Sequence, residues 1–99
     1  MLLALFAAGH LSATDLRDLR CVYALENASR AAPRNQVDAL QNTAQWFRGR
    51  LSASQPGLNV FQYVNDHFVR PKVAIGEADM AVCTKAIADW QAKEAGPLR

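Results

Sequence analysis

VDALQNTAQWFRGRL, residues 37–51, carries the clearest helical pattern in the chain. Its apolar side chains recur at intervals of three, four, three and four residues: Val37, Leu40, Ala44, Phe47 and Leu51. This spacing places all five on one face of an α-helix. The stretch therefore predicts a helix that begins near Asn35 and buries that face.

Breaks in the chain separate this helix from its neighbours. Thr14 can cap a first helix, which runs through DLRDLRCVYALENASRA and ends before Pro33, because proline disfavours α geometry in the residue ahead of it. On the other side, Gln55-Pro56-Gly57 interrupts the pattern, and Gly57 is free to take a positive φ angle. We therefore expect two helices before this second break.

A short third helix is predicted after the break. Asn59 with Gln62 resembles a capping box at its start, and Pro71 marks its end. The residues expected to point inward are Phe61, Val64 and Phe68.

A last helix is predicted over about residues 76–95. One stripe of this helix is formed by Met80, Cys83, Ile87 and Trp90. No segment of the chain alternates polar and apolar residues in the manner of a strand. The predicted fold is therefore all-α, a small irregular four-helix domain over residues 14–99.

The length and charge of the chain limit the classes of function. Ninety-nine residues form about one domain, without room for separate catalytic and binding lobes. The sequence is 51% hydrophobic, which is enough to bury a core. A net charge of +2 arises from eleven basic and nine acidic residues that form no long basic stretch. A nucleic-acid partner is therefore not expected.

Residues 1–13, MLLALFAAGHLSA, carry no charged side chain, whereas charges recur from Asp15 onward. The apolar residues 2–8 followed by Leu11-Ser12-Ala13 resemble a signal peptide, so we predict a periplasmic or secreted protein that is cleaved after Ala13. The alternative is an uncleaved apolar helix that stays in the core of a cytoplasmic protein. The stretch is shorter than the about 20 residues that a membrane span needs, so no stable span is expected.

Cys21 and Cys83 are the two cysteines of the chain, and neither belongs to a C-x-x-C motif. In an exported protein such a pair indicates one structural disulfide. It would close a loop of 62 positions and contribute roughly 4 kcal/mol to stability. The alternative is two buried free thiols in a cytosolic protein. Together with His10 and His67 the cysteines form no closely spaced ligand pair, so neither a metal nor a cofactor is predicted.

Side chains suited to catalysis are sparse in the sequence. Asp66 directly precedes His67, and neighbours on a helix point in different directions, so the two cannot form an orienting pair locally. There is no glycine-rich phosphate loop, no H-E-x-x-H and no G-x-S-x-G motif. We therefore predict no catalytic residues and a non-enzymatic role.

A possible interaction surface surrounds Trp46. Arg50 lies one helical turn further on, where a cation–π contact is available. Gly49 lies in the same helix, where a glycine lowers helix stability by about 1 kcal/mol relative to alanine. Either another helix approaches closely at Gly49, or the neighbouring arginines form a shallow anion or partner site beside Trp46. The predicted surface residues are Trp46, Arg48, Arg50, Arg70 and Lys72.

A family resemblance rests on short motifs. They are an early Leu19-Arg20-Cys21, a central Phe47-Arg48-Gly49-Arg50-Leu51 followed by Pro56-Gly57, and a late cysteine. With the short leader, this pattern resembles a group of small exported alphaproteobacterial helical proteins with two cysteines, over most of the chain from about residue 16. The group has no established activity, so the resemblance implies no site residue. The layout is also similar to periplasmic acid-stress chaperones of the HdeA type and to some effector-immunity proteins.

These features together predict a protein-interaction role in the cell envelope. A periplasmic stress chaperone would expose apolar helix faces on partial unfolding, and acid would trigger this by protonating carboxylates that are paired in the native state. An inhibitor or immunity protein would instead present a fixed surface. A further alternative is a cytosolic interaction domain or homodimer that keeps its N-terminal helix. The identity of the protein partner and the oligomeric state stay open.

Overall fold

The computed structural model describes residues 11–95, with side chains up to residue 93. Within this range the chain forms four helices and no strand, so the predicted all-α fold is confirmed. The helices are α1 (Ala13–Ala31), α2 (Arg34–Ser54), α3 (Val60–Val64) and α4 (Glu77–Ala95), and α3 continues into a π-helical turn (Asn65–Val69). The predicted leader falls mostly on residues 1–10, which lie outside the described residues.

Helix α1 lies at the centre of the domain. Five consecutive residues, 21–25, are all buried, and five residues exceed the 3.6 of one helical turn. The middle of α1 is therefore enclosed on every side. It packs most extensively on α2, and more narrowly on α4, α3 and the π-helical turn. The domain is thus irregular, because its helices are arranged around one central member.

Helix α1 begins with a capping box formed by Ser12 and Asp15. The Asp15 backbone N–H donates to Ser12 Oγ at 3.0 Å, and the Ser12 backbone N–H donates to Asp15 Oδ2 at 3.1 Å. The predicted cap at Thr14 is wrong, since Thr14 lies inside the first turn and is exposed. A cleavage after Ala13 would remove the Ser12 cap from α1.

The apolar face predicted for α2 is present from Leu40 onward, whereas Val37 is partly exposed and does not pack against the core. Ala44, Phe47 and Leu51 are buried against α1, and Leu40 packs at their edge. In α3, by contrast, the prediction is wrong for Phe61, whose surface is 73% exposed.

The inward line of α3 starts one residue earlier than predicted. It runs through Val60, Val64 and Phe68, which repeat at intervals of four residues. Val64 is buried, and the Phe68 ring stacks on Tyr23 of α1 with 5.2 Å between ring centroids. Phe61 follows Val60 and therefore points to a different side of the helix.

The predicted disulfide between Cys21 and Cys83 is confirmed, with a Cα–Cα distance of 5.6 Å. It joins the enclosed middle of α1 to α4. Both cysteines are at most 2% exposed, so the bond lies inside the core. In the chain-entropy model a loop of this length contributes about 4 kcal/mol, which is a large share of the stability of a small domain.

Among residues 11–95, Lys72 adopts a left-handed backbone conformation, with φ of 58°. The Lys72 N–H donates to the Val69 carbonyl at 3.0 Å and closes the segment after the π-helical turn. The positive φ expected at Gly57 is wrong, since no glycine among the described residues has one. The turn there is closed by Leu58 N–H donating to the Gln55 carbonyl at 3.0 Å, and a type I turn needs no positive φ.

Replacing the cap of α1 tests this start of the fold. We expect Ser12→Ala to lower the free energy of unfolding by about 1 kcal/mol, because the Asp15 backbone N–H loses its acceptor, Ser12 Oγ, whereas the bond from the Ser12 backbone N–H to Asp15 can still form. Thr14→Ala is the matched control and should change it by less than about 0.5 kcal/mol. Urea denaturation of the full chain gives both values. A larger loss for Thr14→Ala would contradict the assignment.

Candidate interaction surface

Two tryptophans from different helices meet at the surface. Trp46 of α2 and Trp90 of α4 approach edge to face, with 5.5 Å between ring centroids. The Arg50 guanidinium lies 5.0 Å from the centroid of the Trp46 ring, so the predicted cation–π contact is present. Trp90 is 40% exposed and Trp46 is partly buried. We call Trp46, Gly49, Arg50 and Trp90 the tryptophan surface.

A buried carboxylate of α1 holds Arg50 in place. Arg50 Nε donates to Asp18 Oδ2 at 3.0 Å, and Arg17 donates to Asp18 Oδ1 through Nε at 3.1 Å and Nη2 at 2.8 Å. Asp18 is buried, whereas about a third of each arginine side chain is exposed. One negative charge is thus shared by two guanidinium groups. The local charge beside Trp46 is therefore +1.

The structure separates the five residues predicted for this surface. Trp46 and Arg50 lie together, as described above. Arg48 turns instead toward α1 and forms an ion pair with Glu26. Arg70 and Lys72 follow the π-helical turn, and within residues 11–95 no hydrogen bond, ion pair or ring contact joins either to Trp46.

Trp90 also joins this surface, although the sequence placed it only on the α4 stripe and not among the predicted surface residues. The stripe itself is present, since Cys83 is buried and Met80 and Ile87 pack against the core. Trp90 lies at the outer end of this stripe and contacts Trp46 edge on. The position of Trp90 near the end of α4 could have indicated its exposure, because a side chain at a helix end has fewer neighbours to cover it.

Gly49 leaves an open strip on α2 beside Trp46. Apart from its two chain neighbours and the backbone of its own helix, no described atom lies within 4 Å of a Cβ built on this glycine, and the residue is exposed. The close approach of another helix at Gly49 is therefore wrong for the described part of the chain. The glycine lowers the stability of the helix by about 1 kcal/mol without any packing contact in return.

Replacing Gly49 tests whether the strip is empty. We expect Gly49→Ala to raise the free energy of unfolding by about 1 kcal/mol, because the methyl group meets open space and alanine favours the helix. Ala39→Gly, on an exposed site in the interior of the same helix, is the reverse control and should lower it by a similar amount. Denaturant unfolding measures both. Destabilisation by Gly49→Ala would show that the site is occupied.

A second carboxylate of α1, Asp15, binds the end of α2. Its oxygens accept hydrogen bonds from Ser54 Oγ at 2.7 Å and from Gln55 Nε2 at 3.0 Å. The Ser54 hydrogen bond, supported by the bonds from Ser12 and Gln55, lowers the pKa of the Asp15 carboxyl to about 2, although burial opposes this shift. The ionised form of Asp15 is therefore the form that the fold stabilises.

An ion pair attaches the start of α4 to α1 in the same way. Arg20 Nε donates to Asp79 Oδ1 at 2.6 Å, and the Gly76 N–H donates to Asp79 Oδ2 at 2.9 Å. The Arg20 hydrogen bond is the main reason that the pKa of Asp79 lies below its usual value. Carboxylates thus connect α1 to both of its long neighbours.

Acid should weaken these connections in a defined range. Since the pKa of Asp15 is about 2 in the fold and 3.8 in the unfolded chain, its contribution to stability is complete above about pH 5 and is lost progressively as the pH falls toward 2. We expect Asp15→Asn to be less stable at pH 7 and to show a shallower decline between pH 4 and 2. Urea titrations across pH 2–7 measure this.

Asp38→Asn is the matched control for that experiment, because Asp38 is an exposed aspartate on α2. It should keep the pH dependence of the unchanged chain. If Asp15→Asn declined as steeply as the unchanged chain, Asp15 would not be the group that is linked to stability.

His67 and Asp66 each contact a neighbour within the same turn of the chain. The His67 ring stacks on Tyr63 with 4.0 Å between centroids, and Asp66 pairs with Arg70 at 3.7 Å. In residues 11–95 no group of three or more His, Cys, Asp or Glu side chains is placed to hold a metal ion. His10 lies outside the described residues. The non-enzymatic role stays a prediction.

A helix that spans a membrane must be both long and apolar. None of the helices between residues 11 and 95 has both the length and the hydropathy to cross a bilayer. Comparison with protein-family models, with curated proteins and with solved structures gave no match. The resemblance to small exported alphaproteobacterial proteins, and the likeness to HdeA-type proteins, stay predictions.

Proposed function

We propose that this chain is a non-enzymatic interaction protein of the cell envelope that binds an acidic protein surface through the tryptophan surface. One observation carries the proposal: two partly exposed tryptophans and an arginine converge beside a helix strip that a glycine keeps open. Nothing in the described fold uses that strip. A partner backbone or side chain approaching Trp46 would use it.

The residue types support this role. Tryptophan and arginine dominate the residues that contribute most to protein–protein binding, because each combines a large contact area with polar groups. Arg50 is held by Asp18 and by the Trp46 ring before any partner arrives. Less side-chain freedom is therefore lost on binding.

The charge of the surface points to the chemistry of the partner. Arg17 and Arg50 share the single Asp18 carboxylate, and Lys93 lies three residues beyond Trp90 on α4. On the same helix Asp89 is paired with Lys85 at 2.8 Å. A matching partner would insert an apolar side chain between the two indoles. Carboxylates of the partner around that side chain would match the positive charge.

The proposed compartment rests on the disulfide and on the leader-like start. Disulfides persist in oxidising compartments and are rare in the cytosol. The Cys21–Cys83 bond lies in the core and closes most of the domain into one loop. Residues 1–13 have the apolar composition of a signal peptide. Both features favour the periplasm or the exterior of the cell.

A stress chaperone is the second candidate. The observation that favours it is the pair of carboxylates, Asp15 and Asp79, whose lowered pKa values make the contacts of α1 with α2 and α4 sensitive to acid. Protonation below pH 4 would loosen these contacts and uncover the apolar face of α2. Such a protein would hold many unfolded chains weakly, without a requirement for the tryptophan surface.

Cross-linking in the native host tests the proposal. A tagged full-length chain is expressed from its own start, cells are treated with a short cross-linker, and adducts are isolated from the periplasmic fraction. We expect one main adduct, reduced at least about tenfold by Trp90→Ala, since a central tryptophan is often worth 2 kcal/mol or more. Gly49→Leu should reduce it equally, by filling the strip that the partner occupies.

Two matched variants separate binding from folding. Gly49→Ala and Phe61→Ala should keep the adduct, since the first adds one methyl group and the second removes an exposed ring elsewhere. Circular dichroism and urea unfolding confirm that all four variants are folded. Equal adducts from all variants would overturn the proposal. Many weak adducts that increase at pH 3 would instead support the chaperone.

A further inference from the structure

A cleft of about 580 Å³ lies beside α3. It is bounded by the turn after α2, the start of α3, the π-helical turn and Leu11 ahead of α1. Its volume falls within the range of about 300–1,000 Å³ that is usual for small-molecule sites. The lining residues that matter chemically are Pro56, Leu58, Asn59, Tyr63, Asp66 and His67.

The π-helical turn shapes one wall of this cleft. Such turns are rare in proteins and occur frequently at functional sites. Here the turn spans Asn65–Val69, and two successive residues within it, Asp66 and His67, both line the cleft. The turn thus brings a carboxylate and an aromatic ring to the same wall.

The charge of the lining favours a cation. Asp66 is the ionised side chain of the described lining, which contains no lysine and no arginine. Arg70 reaches Asp66 from outside the cleft at 3.7 Å, and the Arg70 side chain is largely exposed. An exposed pair at this distance is weak, so a ligand ammonium group can compete with it.

The remaining lining offers an apolar place for the rest of the ligand. His67 stacks on Tyr63 and is exposed on its outer side, which leaves a ring face for an aromatic or alkyl group. Pro56 and Leu58 of the turn provide aliphatic contacts. Asn59 uses its side-chain oxygen to accept from the Gln62 N–H, so its amide NH₂ is still available as a donor.

We propose that this cleft binds a small organic amine, with the ammonium group at the Asp66 carboxylate and an apolar ring or chain against His67, Tyr63 and Leu58. The site is separate from the tryptophan surface, and its test does not depend on the proposed function. It requires no chemical step, since the ligand is bound and released unchanged.

Three probes with the same ring and different charge provide the test. Phenethylamine is cationic, 2-phenylethanol is neutral and phenylacetate is anionic at pH 7. Each is titrated into the ¹⁵N-labelled full-length chain, and chemical-shift changes at residues 56–67 are followed. We expect saturable binding of phenethylamine and no binding of phenylacetate. The alcohol should bind about fivefold more weakly than phenethylamine, because one exposed ion pair contributes up to about 1 kcal/mol.

Two variants then assign the contacts. Asp66→Asn should weaken phenethylamine about fivefold and leave the alcohol unchanged, whereas His67→Ala should weaken both probes. Asp89→Asn on α4 removes the same charge far along the sequence and should alter neither. Equal affinity for the three probes, no shift among the residues that line the cleft, or no effect of Asp66→Asn would each overturn the proposal.

Discussion

The enclosure of α1 is the constraint on which the rest of the structure depends. A helix whose central residues are buried on every side cannot be stabilised by one apolar stripe, and it needs a partner in each direction. The disulfide attaches α4, the Phe47 and Leu51 face attaches α2, and the Tyr23–Phe68 stack attaches the π-helical turn. The fold is therefore organised around one helix, unlike a bundle in which each helix has an exposed face.

Polar groups fix the positions of the helices along their axes. Apolar packing alone does not do so, because one apolar face can slide along another. Asp15 and Asp18, both buried on the first two turns of α1, accept from side chains at the end of α2. A buried carboxylate without such donors would be strongly unfavourable, so a displaced α2 would lose much of its stability. The Asp18 contact also orders Arg50 beside Trp46. The position of Arg50 on this surface therefore depends on how α1 and α2 are aligned along their axes.

The sequence predicted those features that depend on local periodicity or on a single pair. The apolar stripe of α2, the Cys21–Cys83 bond and the contact of Trp46 with Arg50 are of this kind. Other features depend on neighbours that are distant in the chain. Gly49 looked like a close-packing site, yet nothing in the described fold reaches it, and Phe61 faced outward because the inward line starts one residue earlier.

The position of the disulfide within α4 divides that helix into two parts. The part before Cys83 is attached twice, by the covalent bond and by the Asp79–Arg20 pair, whereas the part beyond it has few buried side chains. Local opening requires least free energy where few buried contacts are lost. Amide hydrogens between Cys83 and Lys93 are therefore expected to exchange with solvent without global unfolding, and the indole of Trp90 lies on this less firmly attached part of α4, whereas that of Trp46 lies on α2.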